Sequence, residues 1–385
     1  MSSPKPGVQR VVWKYRDDDL VRKAYERASG RAPVKPPVKP TGGAAPASLR
    51  GPGTKTQPLL APRRVAPTVI DPPSTPLEDI AAPPGYELVG SVEDRWCMEP
   101  TTKAWSLGCF SHLGPADVDK TNEDFAFAIE HEVSSKAIWL LAGVADGVGN
   151  STWSKRGAKH ASAAFIESVA KSLESVKGVA FDDTIWNRLR TEVASAFHRN
   201  LRRRLEQDEE RIVRERHVDP AWGEKAYVDR FFLDPDAEKH RRVWFQSTLL
   251  ATALGPWGGF ALLLGDGLVR TDRCRKTGWD APTLPKLSEG EGSPAVVASF
   301  HLTQGQVQSA LVPIRAKDAD RIAVLMATDG VEKSPRHELD GQDWSQLGIT
   351  SSLDCEKYLR KLAGRPKGQV EWDNMSLAFV ERGVK

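Results

Sequence analysis

Residues 137–150 read AIWLLAGVADGVGN, and this stretch decides the fold. Its apolar run is too short to cross a membrane and suits a strand covered on both faces. It stops at Asp146-Gly147, an acidic turn, before a helical pattern begins. A carboxylate where a buried strand emerges is costly without a compensating partner. The phrase returns twice: RIAVLMATDG (321–330) sets Asp329-Gly330 after a second apolar run, and GFALLLGDG (259–267) sets Asp266-Gly267 after a third. Apolar strands that each deliver a carboxylate to one end point to a single oxygen-rich cation site.

Outward from that stretch, WSLGCFSHLG (105–114) reads as a first strand, and VDKTNEDFAFAIE (118–130) as a polar turn leading into a second. Beyond Asn150, Ala158, Ala161, Phe165, Val169 and Leu173 recur near a 3.6 period, which predicts an amphipathic helix. A second stripe, Trp186, Leu189, Val193, Phe197, Leu201 and Leu205, follows an Asp-Asp cap. It runs into RRRLEQDEERIVRER (202–216), where acids interleave with bases as on a solvated helix face rather than a nucleic-acid patch. Residues 217–242 are polar and irregular, an insertion or lid. VWFQSTLLATALG (243–255) and GGFALLLGDGLVRTD (258–272) are strands joined through Gly-Pro-Trp-Gly. Residues 276–316 hold weak strands and a Gly/Ser/Pro loop, Leu353 to Leu362 a short helix, and WDNMSLAFVE (372–381) a last strand. Two sets of strands with two long helices between them imply an α+β sheet-on-sheet core flanked by helices.

The bulk numbers narrow the function classes. Of 385 residues, 40% are hydrophobic and 27% charged, and 54 Lys and Arg face 51 Asp and Glu, so no polyanion-binding surplus exists. Cys97, Cys109, Cys274 and Cys355 are scattered, with no zinc spacing, as expected of reduced thiols in a cytoplasmic protein. No signal-type h-region and no run of 18 apolar residues occurs, so neither export nor membrane insertion is expected. Residues 1–30 include an amphipathic stretch suited to a short docking helix. Between 31 and 85 lie 14 of the 27 prolines, with Asp71 the only acid between Arg31 and Leu77 against seven Lys or Arg. That composition reads as a basic linker. The folded domain is expected over 86–385.

The strand-end acids are Glu123, Asp124, Asp146, Asp266, Asp329 and Asp373. Singly each has a plain reading, since Asp-Gly is a favoured turn. Jointly they form a hard-oxygen set suited to Mg²⁺ or Mn²⁺, and paired ions of that kind activate water and polarise phosphoryl groups.

Six motifs then stand in order: TNED (121–124), VADGVG (144–149), QSTLLAT (246–252), LGDG (264–267), ATDG (327–330) and DNMSLAFV (373–380). Together they resemble the protein phosphatase 2C family, metal-dependent Ser/Thr phosphatases, and its compact bacterial branch above all. The resemblance covers roughly residues 105–381. It implies a four-layer α-β-β-α sandwich of two antiparallel sheets, with two Mn²⁺ or Mg²⁺ ions at one end. By position, Asp146 would bridge the ions, Asp329 and Asp373 complete one shell, and Glu123 with the Gly147 carbonyl hold the other. Asp124 would orient water, Asn374 would brace the last strand, and Asp266 would help hold a third, weaker ion. The implied partner is a phosphoprotein, a Ser/Thr kinase or its target, with neither nucleic acid nor membrane.

Three positions depart from the family pattern. Its phosphate-gripping arginine is Asp119 here, leaving Lys120 as the candidate for substrate phosphate, without an arginine's bidentate fork. Val148 stands where some members carry a histidine, and Lys333 where an aspartate of the third site is common. His112, at the end of the first strand, reads as structural or supporting rather than catalytic. A rival reading is therefore a weakened member of the fold that binds phosphoproteins or regulates a kinase. A phosphodiester or nucleotide hydrolase is a third, disfavoured by the balanced charge.

Overall fold

The long apolar runs are strands with both faces covered. The computed structural model describes residues 77–89, 94–114, 122–134, 137–148, 151–176, 181–215, 217, 243–280, 297–316, 318–332, 339, 344–364 and 374–383. Its strands are β1 (Arg95–Cys97), β2 (Trp105–His112), β3 (Phe125–Ser134), β4 (Ala137–Ala145), β5 (Leu249–Gly255), β6 (Gly258–Leu264), β7 (Leu268–Arg275), β8 (Gly278–Trp279), β9 (Leu311–Arg315), β10 (Arg321–Ala327) and β11 (Met375–Gly383). They form a six-stranded sheet, β1-β3-β4-β5-β6-β9, and a five-stranded sheet, β2-β11-β10-β7-β8. Pairing is antiparallel throughout both sheets except that β1 runs parallel to β3. That one parallel edge departs from the purely antiparallel expectation.

Alternate residues of each strand point to opposite faces, and here the two sets enter different cores. Along β3, Phe125, Phe127 and Ile129 face the helix layer, whereas Ala126 and Ala128 face the other sheet. Along β10, Ile322, Val324 and Met326 enter the inter-sheet core, and Ala323, Leu325 and Ala327 the far helix layer. A strand that must be apolar on both faces cannot alternate with polar residues, which is why these segments read as continuous runs.

The helix layer on the first sheet is α1 (Ser154–Leu173) and α2 (Asp183–Glu215), with α3 (Gln304–Ala310) beside α2. The stripe and the charge run that follows it form one helix to Glu215, but the run is not solvated all round: Asp208 and Ile212 continue the buried face of Leu205. Its start is capped by Asp182, whose carboxylate accepts from the Ile185 N–H at 2.8 Å. α3 falls inside the segment read as weak strands and loop; it begins with a Thr303/Gln306 capping box. After the very short α4 (Asp329–Glu332) and α5 (Trp344–Leu347), α6 (Ser352–Ala363) covers the outer face of the second sheet through Cys355, Leu359 and Leu362. The layers are thus helix, sheet, sheet, helix.

Packed chain begins before residue 86. Ile80 is buried in the helix-side core, Asp79 pairs with the buried Lys159 ammonium at 2.6 Å, and Glu78 pairs with Arg211. Residues 77–85, inside the stretch read as linker, therefore form a strap across α1 and α2. The docking helix, most of the linker and the suggested lid fall outside the described residues, apart from His217. No described helix is long and apolar enough to cross a membrane.

Candidate metal centre

The register of both sheets brings the described strand-end acids to one end of the sandwich. Phe125, which opens β3, pairs with Ala145, which closes β4, so Glu123-Asp124 and Asp146 leave the first sheet side by side. In the second sheet Ala327, closing β10, pairs with Leu377 near the start of β11, so Asp329 emerges beside Asn374. The Gly265-Asp266-Gly267 turn joins β6 of one sheet to β7 of the other at this same end. Gly267 has φ +120°, and a Cβ there would lie 2.7 Å from the Ala327 carbonyl oxygen; the Asp266 turn can sit that close to β10 only with glycine. Asp373, Lys120, Asp119 and Lys333 lie outside the described residues.

Local bonds set the orientation of each group. The Asp146 N–H donates to Thr248 Oγ1 at 2.9 Å, and the Thr248 N–H returns a bond to the Asp146 carbonyl at 2.8 Å. Asp146 is partly exposed, whereas Asp124 is fully buried. Thr328 Oγ1 donates to Asp124 Oδ2 at 2.8 Å, and the Asp124 N–H donates to Asn122 Oδ1 at 3.1 Å. Asn374 is buried, and its Oδ1 accepts from the Gly114 N–H at 3.1 Å, which ties the last strand to the turn after His112. His112 places Nδ1 2.6 Å from the Leu113 carbonyl oxygen, a local bond that holds its own turn. Asn122, Thr248 and Thr328 stood inside the motifs without being singled out, and Ser111 stood in none of them.

The donor types suit a hard divalent cation: Glu123, Asp146 and Asp329 would offer carboxylate oxygens and Gly147 a backbone carbonyl. A Cβ on Gly147 would stand 2.9 Å from both Glu123 Cβ and Ser154 Cβ. Only glycine lets this backbone approach Glu123 so closely. Ser247, bridged to Gly147 across the chain, is fully buried with a hydroxyl that has no hydrogen-bond partner among the described residues, a polar atom of the kind found beside ions and waters. Among the described residues no group of three or more His, Cys, Asp or Glu is placed to hold a metal ion, and Asp373 stands outside that set.

Comparison with known proteins bears on the same segment. The sequence model of protein phosphatase 2C matches residues 117–363, well over half of the chain. No curated protein matches it. Among solved structures, PppA, a key regulatory component of T6SS in Pseudomonas aeruginosa, is 17% identical over 73% of this chain and 98% of its own, with a TM-score of 0.40. The catalytic domain of the serine threonine protein phosphatase PstP, in complex with 2 manganese ions, is 18% identical over 73% and 99%, with a TM-score of 0.39. A bacterial serine phosphatase is 13% identical over 72% and 98%, with a TM-score of 0.40. Because the family match runs through TNED, VADG, LGDG and ATDG in order, the chain belongs to the protein phosphatase 2C family.

Proposed function

We infer that this protein is a metal-dependent phosphatase acting on phosphoserine or phosphothreonine in a protein, a Ser/Thr kinase or its target. The observation that carries this reading is the convergence of carboxylates from two different sheets on one end of the sandwich. Glu123, Asp146, Asp329 and the Gly147 carbonyl would hold two Mn²⁺ or Mg²⁺ ions, with Asp373 completing the set and Asp266 serving a third. When bound, such ions supply Lewis-acid polarisation of the phosphoryl group and a nucleophilic water at neutral pH.

The chain's own residues do the rest. Thr328 anchors one oxygen of the Asp124 carboxylate, and this group would orient water for in-line attack. Thr248 holds the backbone of Asp146 on both its N–H and its carbonyl and so sets where that carboxylate emerges. Lys120 would meet the substrate phosphate as a point charge; with Asp119 beside it, grip is weaker than an arginine fork would provide. Asp119 and Lys333 are also what favours the second reading, a phosphoprotein-binding scaffold of the same fold.

The deciding experiment measures turnover of a phosphothreonine peptide and of p-nitrophenyl phosphate with Mn²⁺ and with EDTA, alongside Asp146→Asn. Turnover that needs Mn²⁺ and falls about a thousandfold in the variant, roughly 4 kcal/mol of transition-state stabilisation, supports the phosphatase. Tight Mn²⁺ binding without turnover moves the assignment to the scaffold. Absence of Mn²⁺ binding sinks both.

A further inference from the structure

Resting on the phosphatase reading, we propose that Ser111 and Thr328 are positioning residues: a buried hydroxyl pin that fixes the two sheets' carboxylates relative to one another. The metal centre has an assembly problem, because Glu123, Asp124 and Asp146 come from one sheet and Asp329 from the other. Packing between apolar faces resists separation but sets sliding only loosely, whereas directional hydrogen bonds set it closely.

Those bonds are present, and all run through buried groups. Ser111 on β2 and Ser376 on β11 are cross-strand partners, and Ser376 Oγ donates to Ser111 Oγ at 2.8 Å. Asn122 Nδ2 donates to the same oxygen at 2.7 Å, while Ser111 Oγ donates to the Asp124 carbonyl at 3.5 Å. A serine hydroxyl has one proton and two lone pairs, so Ser111 uses its whole capacity here. Thr328 Oγ1 accepts from the Ser376 N–H at 2.9 Å while donating to Asp124 Oδ2. The Thr328 N–H completes the link to the Ser376 carbonyl at 3.0 Å. Asp124, on the first sheet, is thereby held at its N–H, its carbonyl and its carboxylate, and two of those grips come from the second sheet.

Thr328 directly precedes Asp329 and Asp124 directly follows Glu123, so loosening the pin would displace two of the residues proposed to hold metal. Groups that orient such residues typically change affinity by about 10–100-fold when removed. Titrating Mn²⁺ calorimetrically into the full-length protein tests the pin without relying on turnover. Thr328→Val keeps the side-chain shape and loses the hydroxyl, and Ser111→Ala removes the hub; each is expected to weaken Mn²⁺ binding about 10–100-fold. Thr328→Ser restores the hydroxyl and is expected to stay within about threefold of wild type, well short of that loss. At saturating Mn²⁺ the losses should appear in kcat rather than in KM, because neither hydroxyl touches substrate.

Equal losses in Thr328→Val and Thr328→Ser would assign the effect to packing and overturn the pin, as would variants that bind Mn²⁺ like wild type. Should Thr328→Val fail to fold, the comparison of Ser111→Ala with Thr328→Ser carries the test. Wild-type protein that binds Mn²⁺ and turns nothing over overturns the phosphatase reading but not the pin, which stands or falls on the affinity ratios. Wild-type protein that binds no Mn²⁺ overturns both.

Discussion

Two buried carboxylates in this molecule are handled in opposite ways. Between α1 and α2, Asp208 takes both Nε and Nη2 of Arg156, at 2.6 and 2.7 Å, and His160 Nε2 at 2.9 Å. At the strand ends, the Asp124 carboxylate accepts from the Thr328 hydroxyl, while Ser111 and Asn122 hold its backbone carbonyl and N–H. A bidentate guanidinium neutralises a carboxylate and makes it a structural tie. A hydroxyl such as that of Thr328 orients a carboxylate without itself neutralising it, which suits a cation site. Burial alone does not separate the two cases; the bidentate guanidinium on Asp208 is what marks the structural tie.

Exchanging the same atoms at both places should give opposite phenotypes. Asp124→Asn is expected to lower kcat about a hundredfold or more, close to 3 kcal/mol, while the metal-free protein melts no lower than wild type. Removing a negative charge from a cluster of acids relieves repulsion, so the stability change should favour the variant. Calorimetric melting in EDTA and p-nitrophenyl phosphate kinetics in Mn²⁺ read the two effects separately. A large drop in melting temperature would mean that Asp124 is structural after all.

Asp208→Asn should do the reverse. It leaves the Arg156 guanidinium, 13% exposed, without its counter-charge, a change expected to cost about 3 kcal/mol, on the order of 6 °C in a domain of this size. The folded fraction should turn over at the wild-type rate. Loss of specific activity without loss of stability would erase the distinction between the clusters.

The sequence made one of these clusters legible and hid the other. The carboxylate end could be read because buried strands here announce themselves as unbroken apolar runs, and an acid directly after such a run needs an explanation. Ordered motifs then supplied the family and its layers. Asp208 was invisible because it sits in RRRLEQDEERIVRER, a run whose alternating charges look uniformly solvated; only the helical phase, with Leu205 and Ile212 on the same face, turns it inward. Ser111 was hidden for a related reason: a serine in a strand carries no signal until the opposing strand is known to present Ser376. β1, the parallel edge strand, spans only Arg95–Cys97, too short for any periodicity to show. The α3 helix did have a signal, the Thr303/Gln306 box, overlooked beside a Gly/Ser/Pro stretch.

The helix cluster should also set the acid sensitivity of the fold. Burial lowers the His160 pKa, outweighing the Asp208 carboxylate that raises it, with Arg156 and Arg204 nearby pushing the same way as burial. For Asp208, burial pushes the pKa up, but the His160 and Arg156 hydrogen bonds outweigh it and hold the carboxyl well below the usual range. A histidine whose folded pKa is depressed takes up its proton more readily when unfolded, so stability drops as pH falls below about 6.5. A depressed aspartate adds a further loss below about 4, where the unfolded carboxylate protonates first. The melting temperature should thus decline from pH 7.5 to 5.5, and His160→Gln should flatten that slope. An unchanged slope in the variant would assign the acid sensitivity to the strand-end cluster instead.

The smallest effect is expected where the clusters approach each other. Lys159, 1% exposed on its side chain, pairs with Asp79 of the strap, and its ammonium lies 5.6 Å from the centre of the Phe125 ring, the residue following Asp124. Asp79 is 53% exposed, so solvent screens its charge. Asp79→Asn retains an oxygen for the Lys159 ammonium and should therefore cost only about 1 kcal/mol. Lys159 keeps its ring contact in the variant, so Mn²⁺ affinity and kcat should be unchanged, leaving the strap a matter of stability alone. A fall in Mn²⁺ affinity in Asp79→Asn would show that the strap reaches the metal centre through Lys159 and Phe125. The segment read as mere linker would then carry a signal from the N-terminal residues to the strand ends, and the separation between the tied and the oriented carboxylates would be one of degree.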